Sequence, residues 1–149
     1  MALLTHTELL EMWKADSQIS PTRIKQDMFA LPILHSKYLE ILTSYKVAMR
    51  KQHLKLNKIR LLKTRYYNGE LDKEELDANG WKQYQRNKPL KSELESILSA
   101  DPDIQEILEQ QEYLEIMISA GESILKEINQ RGFLFKNIVQ WEIFQAGGV

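Results

Sequence analysis

The sequence predicts an all-α fold built from long helices. Three observations carry that reading. No stretch alternates with period two for long enough to demand a strand. Apolar residues recur at helical spacing over nearly the whole chain. Two segments also sustain heptad-like stripes. Tyr38, Leu42, Tyr45, Met49, Gln52, Leu56 and Ile59 follow a 4-3-4-3-4-3 spacing, and Ile104, Ile107, Gln111, Leu114, Ile118, Gly121, Leu125 and Ile128 a 3-4-3-4-3-4-3 spacing. Such stripes pack against another helix, within or between chains. Two helices of about 30 residues would each reach roughly 45 Å. That is long for 149 residues, so an extended subunit completed by oligomerisation is expected.

The elements follow in order. Thr5 or Thr7 can cap a short first helix through Trp13. Ser20-Pro21 is a second start, a side-chain acceptor followed by Pro at the first helical position. Pro32 is expected to kink or break this helix. A long helix then runs over residues 33–67, stopped by Asn68-Gly69. Residues 68–91 form a polar middle, with a short acidic helix start and a turn at Asn79-Gly80. Pro89 can open another short helix through Leu98. Asp101-Pro102 is the clearest cap in the chain. A long helix follows to about Gln130, where Gly132 is placed to end it, and a last helix covers Phe133 to Gln145. The chain is thus expected to be one helical unit over 1–149. N-terminal helices and the polar loop occupy 1–91, and C-terminal helices 92–149.

Composition narrows the class. The chain is 43% hydrophobic and lacks Cys, which excludes disulfides and thiolate metal sites. A reducing compartment is the simplest home. The opening MALLTHTELLEMW has no basic n-region and no long apolar run, so no signal peptide is expected. The longest apolar run, Phe29 to Leu34, is far short of a membrane span. A soluble, intracellular protein without membrane contact is expected.

Charge is segregated. The chain carries 20 basic and 21 acidic residues, yet between Glu40 and Glu70 it has no acid and eight bases: Lys46, Arg50, Lys51, Lys55, Lys58, Arg60, Lys63 and Arg65. Relative to the apolar stripe, Arg50, Lys51, Lys58 and Arg65 fall on the opposite, solvated face, and Lys46, Lys55 and Arg60 flank it. A one-sign helix repels itself and forgoes the Glu–Lys pairs that solvated helices use. It needs a counter-charge, either a polyanion such as single-stranded nucleic acid or an acidic helix of the same protein. Residues 92–127 supply such a helix, with ten acids against one base, Lys126. A second cluster, Trp81, Lys82, Tyr84, Arg86, Lys88 and Lys91, interleaves aromatics with cations. Aromatic faces can stack on unpaired bases without sequence readout.

Phe133, Leu134, Phe135, Ile138, Val139, Trp141, Ile143 and Phe144 crowd the last helix, apolar on more than one face. Such a helix is either buried centrally or a subunit interface. At this end of the chain an interface is the expected role, carried by Phe133, Phe135, Ile138, Trp141 and Phe144.

No catalytic constellation is present. His6, His35 and His53 lie far apart and in no metal-ligand spacing, and there is no P-loop or Gly-x-Gly-x-x-Gly. No catalytic residue, metal or cofactor is expected. Besides a DNA binder, the residues admit a helical scaffold whose basic and acidic helices pair with each other, or a general RNA-binding adaptor.

A set of short segments, each unspecific alone, is specific in its joint order. They are Ser36-Lys37-Tyr38-Leu39, Tyr66-Tyr67-Asn68-Gly69, Leu98-Ser99-Ala100-Asp101, Arg131-Gly132-Phe133 and Phe144-Gln145-Ala146-Gly147. Over roughly residues 25 to 148 the chain resembles the UvsY-like recombination mediators of T-even-type phages. That family has SKWL, YYSG, LSAD, SRGF and FEAG segments in the same order. The resemblance implies a helical homo-oligomeric ring, of six or seven subunits, held together by its C-terminal region. It implies single-stranded DNA, the phage recombinase and the single-strand-binding protein as partners, in the cytoplasm of an infected bacterial host. The implied activity is loading of the recombinase onto DNA covered by that protein. The family's DNA-binding basic pair precedes its YYSG turn. Here that places Lys63 first, with Arg60 and Arg65 as helical neighbours and Lys58, Lys51 and Arg50 further along the same helix.

Overall fold

The computed structural model describes residues 2–148. Its elements are α1 (His6–Asp16), a 3-10 turn (Pro21–Arg23), α2 (Ile24–Tyr67), α3 (Lys73–Asn79), α4 (Lys91–Ala100) and α5 (Pro102–Gln145). Among the described residues there is no strand, so the chain is all-α as the periodicity predicts. No helix is long and apolar enough to cross a membrane among those residues.

Pro32, expected to kink or break its helix, does not break it, and Gly132 does not end α5. Pro32 lies inside α2, which starts at Ile24 rather than at Ile33. The proline removes one backbone donor. The helix holds on both sides of it, and its start is tied down where Asp27 accepts from the Ser20 N–H at 3.1 Å. Gly132 lies inside α5, which continues to Gln145. A helical glycine costs only about 1 kcal/mol relative to Ala. Arg131 and Phe135, on either side of it, are both buried and hold the helix in register. Real stops occur where the backbone turns left-handed. Gly69 has φ 72° after α2, where the Glu70 N–H reaches the Arg65 carbonyl at 2.9 Å. Gly147 has φ 80° after α5, where the Gly148 N–H reaches the Ile143 carbonyl at 2.9 Å. Both are the residue type and geometry expected at a helix end.

The chain forms two compact units, one of Met1–Val47 with Glu115–Val149 and the other of Ala48–Leu114. In the first, α1 buries Leu9 and sets Trp13 against Tyr38 of α2 and Arg131 of α5. Leu9 and Tyr38 are fully buried, and the Trp13 and Tyr38 rings meet edge to face at 5.3 Å. The Tyr38 hydroxyl donates to Asp16 at 2.9 Å, and Lys37 pairs with the same carboxylate at 2.6 Å. Burial, then the Asp16 hydrogen bond and charge, push the Tyr38 hydroxyl well above the usual phenol range. Tyr45 donates to the Leu4 carbonyl at 2.8 Å. Gly121 lets α2 and α5 approach closely, since a Cβ there would sit 3.1 Å from the Leu42 Cδ1. Further along α5, Arg131 is buried, donates to the Ser17 carbonyl at 2.6 Å and lies over the Trp13 ring.

The stripe of α5 is close to the expected one. Ile104, Gln111, Leu114, Gly121 and Ile128 are buried as its spacing predicts. Met117 and Ile124 are buried beside Ile118 and Leu125, which are half-buried. A straight helix at 3.6 residues per turn drifts against a strict heptad, so the buried line shifts by one residue midway.

Candidate nucleic-acid interface

All six expected DNA-binding residues lie on α2 within the second unit, but they divide into two groups. Arg60, Lys63 and Arg65 are held by carboxylates of the same unit. Arg60 pairs with Glu95 at 3.0 Å. Arg65 makes two contacts to Glu75, at 2.8 and 3.1 Å. Lys63 is 6% exposed and reaches Asp101 at 3.0 Å and Asp103 at 2.8 Å. Its ammonium also lies 4.1 Å from the centre of the Trp81 ring. It is therefore not a solvated cation, and the sequence pattern explains why. Continuing the α2 stripe one step beyond Ile59 lands on Lys63, so this lysine occupies a core position.

Asp101 is the counterpart of Lys63. It is 2% exposed and has a role at each oxygen. One oxygen caps α5, accepting from the N–H groups of Asp103 at 2.9 Å and Ile104 at 3.2 Å. The other accepts from the Tyr67 hydroxyl at 2.6 Å and from Lys63. Burial acts to raise the Asp101 carboxyl. The Tyr67, Lys63 and backbone hydrogen bonds overcome it and hold the group below the usual carboxylate range. Lys63 is likewise raised: burial works against its charge, but Asp103 and Asp101 outweigh it. Tyr67 is pushed above the usual phenol range by burial and by Asp101. Around this node Tyr66, Tyr67, Trp81 and Tyr84 form one aromatic cluster with centroid separations of 5.0 to 5.9 Å. The Tyr66 hydroxyl donates to the Lys82 carbonyl at 2.7 Å. The rings expected to stack on bases thus pack on one another, while Lys82, Arg86, Lys88 and Lys91 are exposed.

Arg50, Lys51 and Lys58, with Lys55, form the second group. All four are exposed, and none is in an ion pair among the described residues. Lys55 borders an open groove of about 530 Å³ that also involves Ile59, Trp81 and Asp103. In the first unit, Lys46 faces Glu122 at 3.7 Å. Internal acids therefore absorb Lys46, Arg60, Lys63 and Arg65, half of the eight cations, and leave the other half facing solvent. Pairing of basic and acidic helices is real but partial.

The residues expected to join subunits also divide. Phe135 is 1% exposed and belongs to the core of the first unit, because it continues the buried line through Ile128 and Arg131. Ile138 is half-buried. Phe133, Trp141 and Phe144 are exposed, the last two stacked at 5.8 Å. Sequence reasoning missed two outward residues of the cationic face, Leu54 and Leu61, which are 45% and 67% exposed. Their seven-residue spacing, offset from the buried stripe, was the available signal. Among the described residues no group of His, Asp or Glu is placed to hold a metal ion.

Comparison with known proteins joins these observations to a family. Residues 12–148 match the family described as UvsY, the recombination, repair and ssDNA binding protein. The chain is 30% identical over 142 residues to the recombination protein uvsY of Enterobacteria phage T4, covering 94% of this chain and 96% of that one. Crystal structures of the bacteriophage T4 recombination mediator protein UvsY superpose with TM-scores of 0.83 and 0.81, at 25% and 26% identity. They cover 96% and 92% of this chain and 98% of each T4 chain. The chain belongs to the UvsY family of phage recombination mediators.

Proposed function

We propose that the chain binds single-stranded DNA through the solvent-facing cations of α2 and promotes loading of the phage recombinase onto DNA covered by single-strand-binding protein. The observation that carries this is the group of Arg50, Lys51, Lys55 and Lys58, exposed on a helix stretch without acids and themselves in no ion pair among the described residues. Phosphates are the counter-charge that such a row lacks. Lys63, Arg60 and Arg65 hold α2 against its neighbours and so fix the direction in which the free cations point. The exposed Phe133, Trp141 and Phe144 join copies into a ring of six or seven subunits. In the ring, weak sites act together, and tethering raises their joint affinity. DNA held around it is presented to the recombinase in the cytoplasm of the infected host. The action is non-enzymatic and requires no cofactor.

The test is an Arg50→Ala/Lys51→Ala/Lys58→Ala variant titrated with labelled single-stranded DNA over a salt series. If each subunit neutralises about three phosphates, log K falls with log salt with a slope near −2 per engaged subunit. The variant should bind weakly, its slope flattened to about −0.7 at most, the share that Lys55 can still contribute. Unchanged affinity and slope would refute the reading and favour the scaffold, in which cations serve only internal pairing.

A further inference from the structure

The cationic face of α2 is not purely cationic. Leu54 and Leu61 lie seven residues apart, two helical turns, so they share one line along the helix. Both are exposed, Leu61 by two thirds of its surface. Arg50 lies about 20 to 40° to one side of that line, and Lys51 and Lys58 about 40 to 80° to the other. The surface is therefore an apolar strip between cations. Two exposed leucines on one line, set between cations, offer a small apolar surface to an occupant. The flanking charges state its sign, because Arg50, Lys51 and Lys58 have no carboxylate partner among the described residues.

We infer that Leu54 and Leu61 form a base-contacting strip that makes this surface selective for single-stranded over duplex DNA. This rests on the reading of the cationic face as a DNA surface. An unpaired strand has two chemistries side by side, anionic phosphates and apolar base faces. A duplex shows the first and stacks the second out of reach. Cations alone attract both forms, as phosphate contacts carry no readout. An apolar strip between cations adds a contribution that only unstacked bases return. The strip from Arg50 to Leu61 spans about 16 Å at 1.5 Å per residue, enough for a few nucleotides. The aromatic rings that would otherwise serve, Tyr66, Trp81 and Tyr84, are occupied in their own cluster.

The experiment compares the full chain with Leu54→Ser/Leu61→Ser and with Arg50→Ala/Lys51→Ala/Lys58→Ala. Each is titrated with a fluorescent oligothymidylate and with a duplex of equal length over a salt series. Circular dichroism and sedimentation run in parallel. The serine variant should keep its helicity and mass, since both leucines are exposed. Its affinity for the single strand should fall about tenfold, corresponding to partial burial of two leucines. Its salt slope and its duplex affinity should not change. Leu54→Phe/Leu61→Phe should bind the single strand at least as tightly as the original chain, because rings stack better on bases. Equal loss on duplex and single strand would overturn the inference, as would no loss on either. A fall in oligomer mass would also overturn it, because the strip would then be covered by a second copy. An unaffected alanine variant would instead sink the DNA reading itself.

Discussion

Lys63→Ala separates support from contact. The substitution removes a buried cation that bridges Asp101 and Asp103 and leaves Asp101 charged in a site almost without solvent. Breaking a buried pair by deleting one partner costs about 3–5 kcal/mol. Here the low end applies. Asp101 keeps the Tyr67 hydroxyl and two backbone N–H donors, and the Asp103 side chain is 51% exposed and can be solvated. A loss of about 3 kcal/mol corresponds to a fall in Tm of about 6–12 °C for a chain of this size. The assay is thermal and urea unfolding followed by circular dichroism, at one protein concentration, since any self-association would add to apparent stability. A loss below about 1 kcal/mol with an unchanged m-value would refute the assignment of Lys63 to the core. DNA binding supplies the second readout. A supporting lysine lowers affinity and leaves the salt slope alone, whereas a phosphate ligand flattens it by about 0.7 on removal.

The same node predicts a pH response. Asp101 is depressed in the fold, so its contribution is present above its unfolded value of about 3.9 and is lost as pH falls through its lower folded value. Lys63 is raised, so its contribution is present below about 10.4 and is lost as pH rises through its higher folded value. The Tm difference between the original chain and Lys63→Met/Asp101→Asn should therefore be constant from about pH 5 to 9 and shrink beyond both limits; a difference that varies within the plateau would contradict the assignment. Phe133→Ser/Phe144→Ser should lower the oligomer mass in sedimentation without loss of helicity, and an intact oligomer would exclude these rings as its interface.

The fold class, the long helices and most helix ends were readable from periodicity and caps. Pro32 and Gly132 misled because each is a local cost of about 1 to 3 kcal/mol, while the pattern of buried residues on either side is not local. Tyr38, Leu42 and Tyr45 continue the helix after the proline. Arg131 and Phe135 carry it through the glycine. At the site, the heptad spacing that named the apolar stripe also placed Lys63 on it. A charged side chain in a core position does not announce itself unless its counter-ions are known, and Asp101 and Asp103 are distant in sequence. Asp101 was recognised as a cap from Asp-Pro, but its second oxygen was committed to partners that only the fold brings near. The helical-face reading already set Arg50, Lys51 and Lys58 toward solvent; what it could not show is that Glu75, on another helix, claims Arg65 from that face.

Asp101 also bears on how this unit opens. One carboxylate fixes the first amides of α5, a tyrosine at the end of α2 and a lysine one turn earlier. Fraying of the first turn of α5 would leave Lys63 unpaired in a nearly dry site, so it costs more than fraying of an ordinary helix end. Opening at residue 101 is therefore expected to involve the ends of both helices together rather than one terminus alone. Hydrogen exchange at the Asp103 and Ile104 amides would report that event rather than the motion of a terminus. The joint that ties the end of α2 to the start of α5 thus couples the two helix ends through one carboxylate.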